Sequence, residues 1–294
     1  MRFTEEHAAI RNTVAQFIDN EINPYCDQWE QDGIFPAHDL FRKMGDLGLL
    51  GIAKPTEYGG MGLDYSYQIV FSEELGRIAS GGVSMGIGVQ TDMATPAMAK
   101  FGSDYIKQEF LSKAISGEAV CSIAVSEPHA GSDVANIKTT AVKDGDDYVI
   151  NGSKVMIGNG TVGTFLLVFC LTAPEEKTKT ARHSIIIVET DREGYKAEPM
   201  HGKMGLRASD TSAVYFNNVR VPKENLLGAR GNGFIQLMKF FDHSRAYVAG
   251  HGIGLAQGAL DQAIKHVKGR KQFGRPIAAF HATQFKIADL ATKF

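Results

Sequence analysis

The sequence has no surplus of either charge. Its 31 Lys and Arg are set against 33 Asp and Glu across 294 residues, a formal net charge of −2, so nothing points to a nucleic-acid surface. It has only three cysteines, Cys26, Cys121 and Cys170, far apart and without a Cys-x-x-Cys pair. They are expected to be buried or free thiols in a reducing compartment rather than a disulfide framework. No apolar run reaches membrane-spanning length and no signal peptide opens the chain, so a cytoplasmic protein without a membrane partner is expected. No Gly-x-Gly-x-x-Gly follows a strand, which argues against a Rossmann domain and NAD. No His and Cys cluster has the spacing of a metal site. What remains is 44% hydrophobic and 22% charged, an ordinary globular composition in a chain too long for one simple domain.

Against this background one stretch changes character abruptly. Val120 to Ala124 is a short apolar run that reads as a buried strand, and Val125-Ser126-Glu127-Pro128-His129-Ala130-Gly131-Ser132-Asp133 follows it. Pro128 removes a backbone donor and ends the ladder. Gly131, lacking a Cβ, lets the backbone approach something flat or charged. Ser126 and Ser132 add hydroxyls beside the N–H groups of the turn. Such a loop can hold a ligand's polar edge; taken alone it reads equally as a strand followed by a polar turn.

The first third has helical spacing. Thr4, followed by Glu5 and Glu6, is placed to cap a helix carrying Ile10, Val14, Phe17 and Ile18. Leu40, Met44, Leu47 and Leu50 mark a second helix, Asp64 caps a third, and Ser103 to Ile115 forms another, closed by Gly117. The segment from Gly82 to Met98 is apolar on all sides and should be buried, although it contains Asp92. The middle third changes period. Thr139–Val142 and Tyr148–Ile150 read as a hairpin around Asp144-Gly145. Phe165–Leu171 and Ser184–Val188 read as strands covered on both faces, and Ala213–Phe216 with Val219–Val221 complete an antiparallel β domain. From Gly233 a long helix is expected, lined by Leu237, Phe240, Phe241, Val248, Ile253, Leu255, Leu260, Ile264 and Val267, while Gly250, Gly252, Gly254 and Gly258 are small enough to let a neighbouring helix or ligand approach closely. A last helix starts near Phe280 and is still in period at Phe294, without a stop signal, so an incomplete chain is expected.

Further blocks follow the Ser126 loop in order. They are Asn151-Gly152-Ser153-Lys154-Val155-Met156-Ile157-Gly158, Met204-Gly205-Leu206-Arg207-Ala208-Ser209-Asp210-Thr211, Val221-Pro222-Lys223-Glu224-Asn225, and Gly269-Arg270-Lys271-Gln272-Phe273-Gly274. In this order and spacing the chain resembles the acyl-CoA dehydrogenase family of flavoproteins, from about the first helix to the last residue. The resemblance implies an α+β multidomain fold: an N-terminal all-α domain over 1–118, a middle antiparallel β domain over 119–228, and the start of a C-terminal helical bundle over 229–294. It implies FAD as cofactor, an acyl-CoA substrate, an electron-transferring flavoprotein as acceptor, and a homotetramer. Carried over by position, Val125 and Ser126 would hydrogen-bond the flavin ring, with Gly131 and Ser132 beside it. Arg270 and Gln272, with Phe273 packing nearby, would reach the pyrophosphate or adenosine end of FAD in a neighbouring subunit. Ser132, Met238, Asp242 and Arg245 would face the acyl-CoA.

The chain also departs from the family pattern. Met156 stands where Trp commonly packs on the flavin, Gly158 where Thr or Ser is usual near N5, and His281 where Gln is usual near the cofactor. These departures put ordinary straight-chain substrates in doubt. The reaction implied is α,β-dehydrogenation of a thioester, a carboxylate taking the proton while hydride leaves to flavin N5. An oxygen-using flavin oxidase or monooxygenase, or a catalytically inactive assembly subunit, would keep the same fold. Of the family's two positions for the catalytic carboxylate, one lies beyond residue 294 and the other is Ser244, which cannot serve. Asp92 is the candidate left in this chain. A helix cap would explain it, but Thr95-Pro96 looks like the better cap. In an apolar pocket its pKa would rise and make it a usable acid/base. A base there suits alicyclic substrates such as cyclohexane- or cyclohexenecarboxyl-CoA.

Overall fold

Apolar residues three and four apart build the first third into helices, as the computed structural model shows over the described residues 3–293; those up to Ile87 share one core, and those from Ala94 to Ile115 pack in a second one with the sheet. Helix α1 (Glu5–Phe17) opens with the Thr4 amide donating to His7 Nδ1 at 3.1 Å, buries Val14 and Phe17, and loosens into a π-helical turn over Ile18–Ile22. Helices α2 (Cys26–Asp32) and α3 (Ala37–Asp46) follow. Helix α4 (Tyr65–Gly76) starts where the Asp64 carboxylate accepts from the Ser66 amide at 2.7 Å.

Helix α5 (Gly81–Gly88) passes through a π-helical turn, Val89–Ala94, into α6 (Thr95–Phe101), so no cap forms at Thr95. Instead the Thr95 hydroxyl donates back to the carbonyls of Gln90 at 2.7 Å and Thr91 at 3.1 Å. Pro96 has no N–H to offer the carbonyl four residues before it, that of Asp92, and this carbonyl accepts from the Ser244 hydroxyl at 2.8 Å. Short α7 (Asp104–Ile106) and α8 (Ser112–Ile115), joined by a π-helical turn, make up the helix expected there. Gly117 stops it at φ +74°, where an added Cβ would lie 2.1 Å from the Phe41 carbonyl oxygen.

Strands β1 (Cys121–Ala124), β2 (Thr140–Asp144), β3 (Asp147–Gly158), β4 (Phe165–Leu171), β5 (His183–Glu189), β6 (Tyr195–Pro199) and β7 (Thr211–Pro222) form one sheet. Its order is β1-β4-β2-β3-β7-β6, with β5 also on β4. Most neighbours are antiparallel, but β1 runs parallel to β4, and β2 meets β4 in parallel at Thr140 and Leu171. The sheet is therefore mixed rather than purely antiparallel. A parallel pair needs a crossover, and the segment holding the β2–β3 hairpin supplies one between β1 and β4. As their apolar runs required, β4 and β5 are buried along almost their whole length.

Helix α9 (Gly233–Gly269) leads to a hairpin of β8 (Lys271–Gln272) and β9 (Arg275–Pro276), then to α10 (His281–Lys293); Phe294 lies outside the described residues. Not every apolar residue expected to line α9 is inside. Leu237, Phe240 and Leu260 are buried, but Val248, Ile253 and Leu255 are about half exposed. Over that stretch the buried face is Ser244, Tyr247, Gly250 and Gly254, because α4 crosses there at backbone distance. A Cβ at Gly254 would lie 1.8 Å from the Glu73 carbonyl oxygen, and one at Gly76 2.3 Å from that of His251. Close crossing selects against side chains, so the apolar period reports a different face.

His251 is half-buried on α9, stacked on Tyr247 and 2.9 Å from the Ser84 hydroxyl. Burial holds its pKa below the usual value of 6.5. The unfolded chain therefore takes up this proton first as the pH falls, and the stability His251 contributes above about pH 6.5 is lost below it. The drop in melting temperature between pH 7 and pH 5 is expected to be smaller in His251→Gln than in the wild type. Equal drops in the two proteins would place the acid sensitivity elsewhere.

Candidate functional site

The Ser126 loop leaves the end of β1 and is tied down by β3. The Val155 amide donates to the Ser126 carbonyl at 2.9 Å, and the Lys154 ammonium donates to the Val125 carbonyl at 2.9 Å and to Glu127 Oε1 at 2.9 Å. Glu127 in turn accepts from the Lys138 amide at 2.6 Å and the Thr139 amide at 2.9 Å. Burial pushes the Glu127 carboxyl up, but Lys154 and the two amides outweigh it and hold it below the usual range. Burial also pushes the Lys154 ammonium down, with Glu127 opposing. Neither residue stands out by type. Strand alternation marks Lys154, however: Tyr148 and Ile150 point inward, and Lys154 falls on the same face.

Facing solvent beyond this buried pair, Val125 is covered, Ser126 half-buried, and Gly131 and Ser132 exposed. A Cβ added at Gly131 would meet no atom of the chain within 4 Å, so the space beside the loop is open. On the adjoining strand a bulge between Lys154 and Ile157 puts Met156 at φ +60° and leaves it 65% exposed. A long side chain held in the left-handed region and pointing outward is a costly arrangement of the kind found at ligand sites. Gly158, at the end of β3, lies against Val89 of the π-helical turn: a Cβ there would be 3.0 Å from Val89 Cγ2. The Ser126 loop, Met156, Gly158 and the turn bearing Asp92 are thus contiguous. An open floor edged by backbone, hydroxyls and one apolar side chain suits a flat ring with a polar rim.

Asp92 is fully buried. Its carboxylate accepts from Gln68 Nε2 at 2.8 Å, from the Thr91 hydroxyl at 2.6 Å and, at 3.4 Å, from the Tyr65 hydroxyl, which also reaches the His243 carbonyl at 2.8 Å. It is not alone, as Lys54 is buried beside it and donates to the Thr91 carbonyl at 2.9 Å. Burial raises the Asp92 pKa, with Lys54 and the three hydrogen bonds opposing, and burial lowers that of Lys54. Lys54 and Tyr65, with Pro96, Lys100, Phe240 and His243, line a cavity of about 390 Å³. Among the described residues no Asp or Glu lines its wall, and Asp92 stands one hydroxyl behind it, through Tyr65. Pattern reading missed Lys54, Tyr65 and Gln68; only Asp64 at the cap of α4 hinted that the first turn of that helix was anchored.

On α9, Met238 is half-buried against the core that also holds Val125. Asp242 and Arg245 are exposed and pair with each other. Arg270 caps α9, and Gln272 and Phe273 stand on the β8–β9 hairpin, all in solvent, with Phe273 92% exposed at φ +51° in the turn. His281, opening α10, is exposed and packs against Phe285. The fold thus groups the Ser126 loop with β3 and the Asp92 turn, and leaves the hairpin residues and His281 pointing away into solvent. The three cysteines are free and buried. Among the described residues no helix is long and apolar enough to cross a membrane, and no group of His, Cys, Asp and Glu could hold a metal ion.

Three family models match the chain end to end: the acyl-CoA dehydrogenase N-terminal domain over 4–118, middle domain over 122–219 and C-terminal domain over 231–294. An acyl-CoA dehydrogenase of Bacillus subtilis is 38% identical over 100% of this chain and 76% of its own length. A cyclohex-1-ene-1-carbonyl-CoA dehydrogenase of Geobacter metallireducens is 39% identical over 98% of this chain and 75% of its own. The solved structure of a glutaryl-CoA dehydrogenase from Mycobacterium smegmatis in complex with FADH2 superposes with a TM-score of 0.90 at 27% identity, covering 99% of this chain and 72% of that one.

Proposed function

The chain belongs to the acyl-CoA dehydrogenase family of FAD-dependent enzymes, and from that membership we propose that it dehydrogenates the CoA thioester of an alicyclic acid, with Asp92 as proton acceptor. The observation that carries the assignment of Asp92 is its position: a buried carboxylate one hydroxyl, that of Tyr65, behind a cavity whose wall offers no other among the described residues. FAD, when bound, supplies the hydride acceptor. The open space at Gly131 and the outward Met156 fit its ring, with Val125 and Ser126 hydrogen-bonding the edge and Ser132 and Gly158 alongside. Gly158 brings no side-chain donor to the place where a hydroxyl is usual, so any donor there is backbone. Ser132, Met238, Asp242 and Arg245 orient the thioester.

Burial makes Asp92 more basic than a surface carboxylate, which suits removal of a weakly acidic proton. Tyr65 lies between Asp92 and the cavity, close enough to pass that proton on. The alicyclic preference is supported by the position of Asp92 and by the Geobacter relative, whose own substrate is cyclic. Arg270, Gln272, Phe273 and His281 serve the pyrophosphate or adenosine end of FAD in a neighbouring subunit of a homotetramer, the fixed fork of Arg270 matching phosphate oxygens. An electron-transferring flavoprotein takes the electrons, and the enzyme works in the cytoplasm.

Anaerobic titration of the purified flavoprotein with a panel of acyl-CoAs tests this proposal. Cyclohexane- or cyclohexenecarboxyl-CoA is expected to bleach the flavin band at concentrations where butyryl-CoA leaves it unchanged. No bleaching by any thioester would make the protein an inactive assembly subunit, and oxygen consumption matching turnover would make it an oxidase.

A further inference from the structure

The buried pair under the Ser126 loop has a directional effect on the loop's backbone. The side chains of Lys154 and Glu127 are 0% and 2% exposed. A buried ion pair is a poor source of stability, since desolvating two charges offsets most of their attraction, so its presence here asks for another role. The pair's hydrogen bonds point to one. Lys154 draws the Val125 carbonyl inward, and the Val155 amide draws the next carbonyl, that of Ser126, the same way. A trans peptide is planar with its C=O and N–H opposed, so fixing the Val125 carbonyl toward β3 turns the Ser126 N–H outward. Among the described residues no backbone carbonyl takes up this N–H, and the loop is open at Gly131, where an added Cβ would meet no atom within 4 Å. Glu127 holds the ammonium in place and is itself anchored by two consecutive amides, of Lys138 and Thr139, at the start of β2. The ring of Phe169, 6.0 Å from the ammonium, closes the back of the clamp.

We propose that Lys154, charge-balanced by Glu127, is a positioning residue that aims the Ser126 amide at the flavin ring. The proposal rests on the assignment of Val125 and Ser126 as flavin contacts. It predicts that Lys154 governs a hydrogen bond it does not itself make, and that Glu127 matters only through Lys154.

The test uses the holoprotein loaded with FAD carrying 13C at the C2 and C4 carbonyls, read by infrared difference spectroscopy, with FAD retention and thermal melting measured in parallel. In the charge-free double variant Lys154→Met/Glu127→Gln a flavin carbonyl band is expected to move to higher frequency, and FAD to be held about tenfold less tightly. Glu127→Gln alone keeps an oxygen for Lys154 and keeps the bond from Lys154 to Val125, while turning its NH₂ on the Lys138 amide as the double variant also does, so its band should stay nearer the wild-type position than that of the double variant. Ser126→Pro, which removes the amide hydrogen, distinguishes the two levels of the argument. If Ser126→Pro moves the band and the folded double variant does not, the clamp is wrong and the flavin contact stands. If neither moves it, the loop does not hold the flavin and both fall. Should the methionine variant fail to fold, Lys154→Gln/Glu127→Gln replaces it, with the same results deciding.

Discussion

Asp92→Asn in the full-length protein is expected to slow reduction of the bound flavin by cyclohexenecarboxyl-CoA by about 10²–10⁴-fold, the usual contribution of a positioned proton acceptor, with FAD still bound. The substitution should leave the fold intact. One oxygen of Asp92 takes both the Gln68 and the Thr91 donors, and the amide oxygen of Asn can do the same. The other faces the Tyr65 hydroxyl, which can accept from the Asn NH₂ while donating to the His243 carbonyl. The charge is what changes. The groups facing it are Lys54, Tyr65, Gln68, Thr91 and Tyr247. Burial raises the Asp92 pKa, and Lys54 is the strongest opposing influence. A base must be ionised to act, so the reduction rate should rise with pH through this raised pKa, and Lys54→Met should move that limb to higher pH. Stopped-flow reduction across a pH series measures both effects. A rate near wild type with the cyclic substrate in Asp92→Asn would leave Asp92 with a structural role only.

Gly254→Ala is expected to destabilise the protein by about 3 kcal/mol, the upper part of the usual overpacking range, and to lower the melting temperature by roughly 6–12 °C. The new Cβ would sit 1.8 Å from the carbonyl oxygen of Glu73 in α4, a backbone atom that cannot move aside without shifting the helix. Glycine costs an exposed helix about 1 kcal/mol relative to alanine, so the clash has to overcome a propensity gain. Gly252→Ala isolates that gain. It lies in the same helix two residues away, a Cβ there meets nothing within 4 Å, and it should raise stability by up to about 1 kcal/mol. Thermal or urea unfolding of the two variants should therefore give opposite signs. A neutral Gly254→Ala would mean that α4 and α9 do not meet as closely as the structure has them.

This pair of glycines also marks where sequence and structure part company. Helix α9 was legible as a helix from its length and from Leu237, Phe240 and Leu260. Hydrophobic spacing did not give its orientation, because the closest contact is made by residues with no side chain; the small residues Gly250, Gly252, Gly254 and Gly258 announced that something could approach closely, and α4, with Arg77 at its end, does so at Gly250, Gly254 and Gly258 but not at Gly252. The strands were legible where burial on both faces gave continuous apolar runs, as in β4 and β5. The parallel pairing of β1 with β4 was not, since direction depends on the path between strands rather than on their composition. At the site, the Ser126 loop announced itself by an abrupt change of residue type. Lys154, Lys54 and Tyr65 did not, because a buried charge looks like a surface charge until its partner is found, and these partners are 27 and 38 residues distant or on another helix.

The hydroxyl of Ser244 holds the Asp92 carbonyl that Pro96 leaves free. By the family resemblance, Ser244 also stands at one of the two positions expected for a catalytic carboxylate. A Glu at 244 would lose the tether that seats the Asp92 turn, and would bring a second negative charge into a space where Lys54 balances only one. With both carboxylates buried there, one would be forced to hold a proton. The serine at 244 is therefore part of what holds the Asp92 turn in its shape, and a chain with a carboxylate at this position would have to seat that turn in another way.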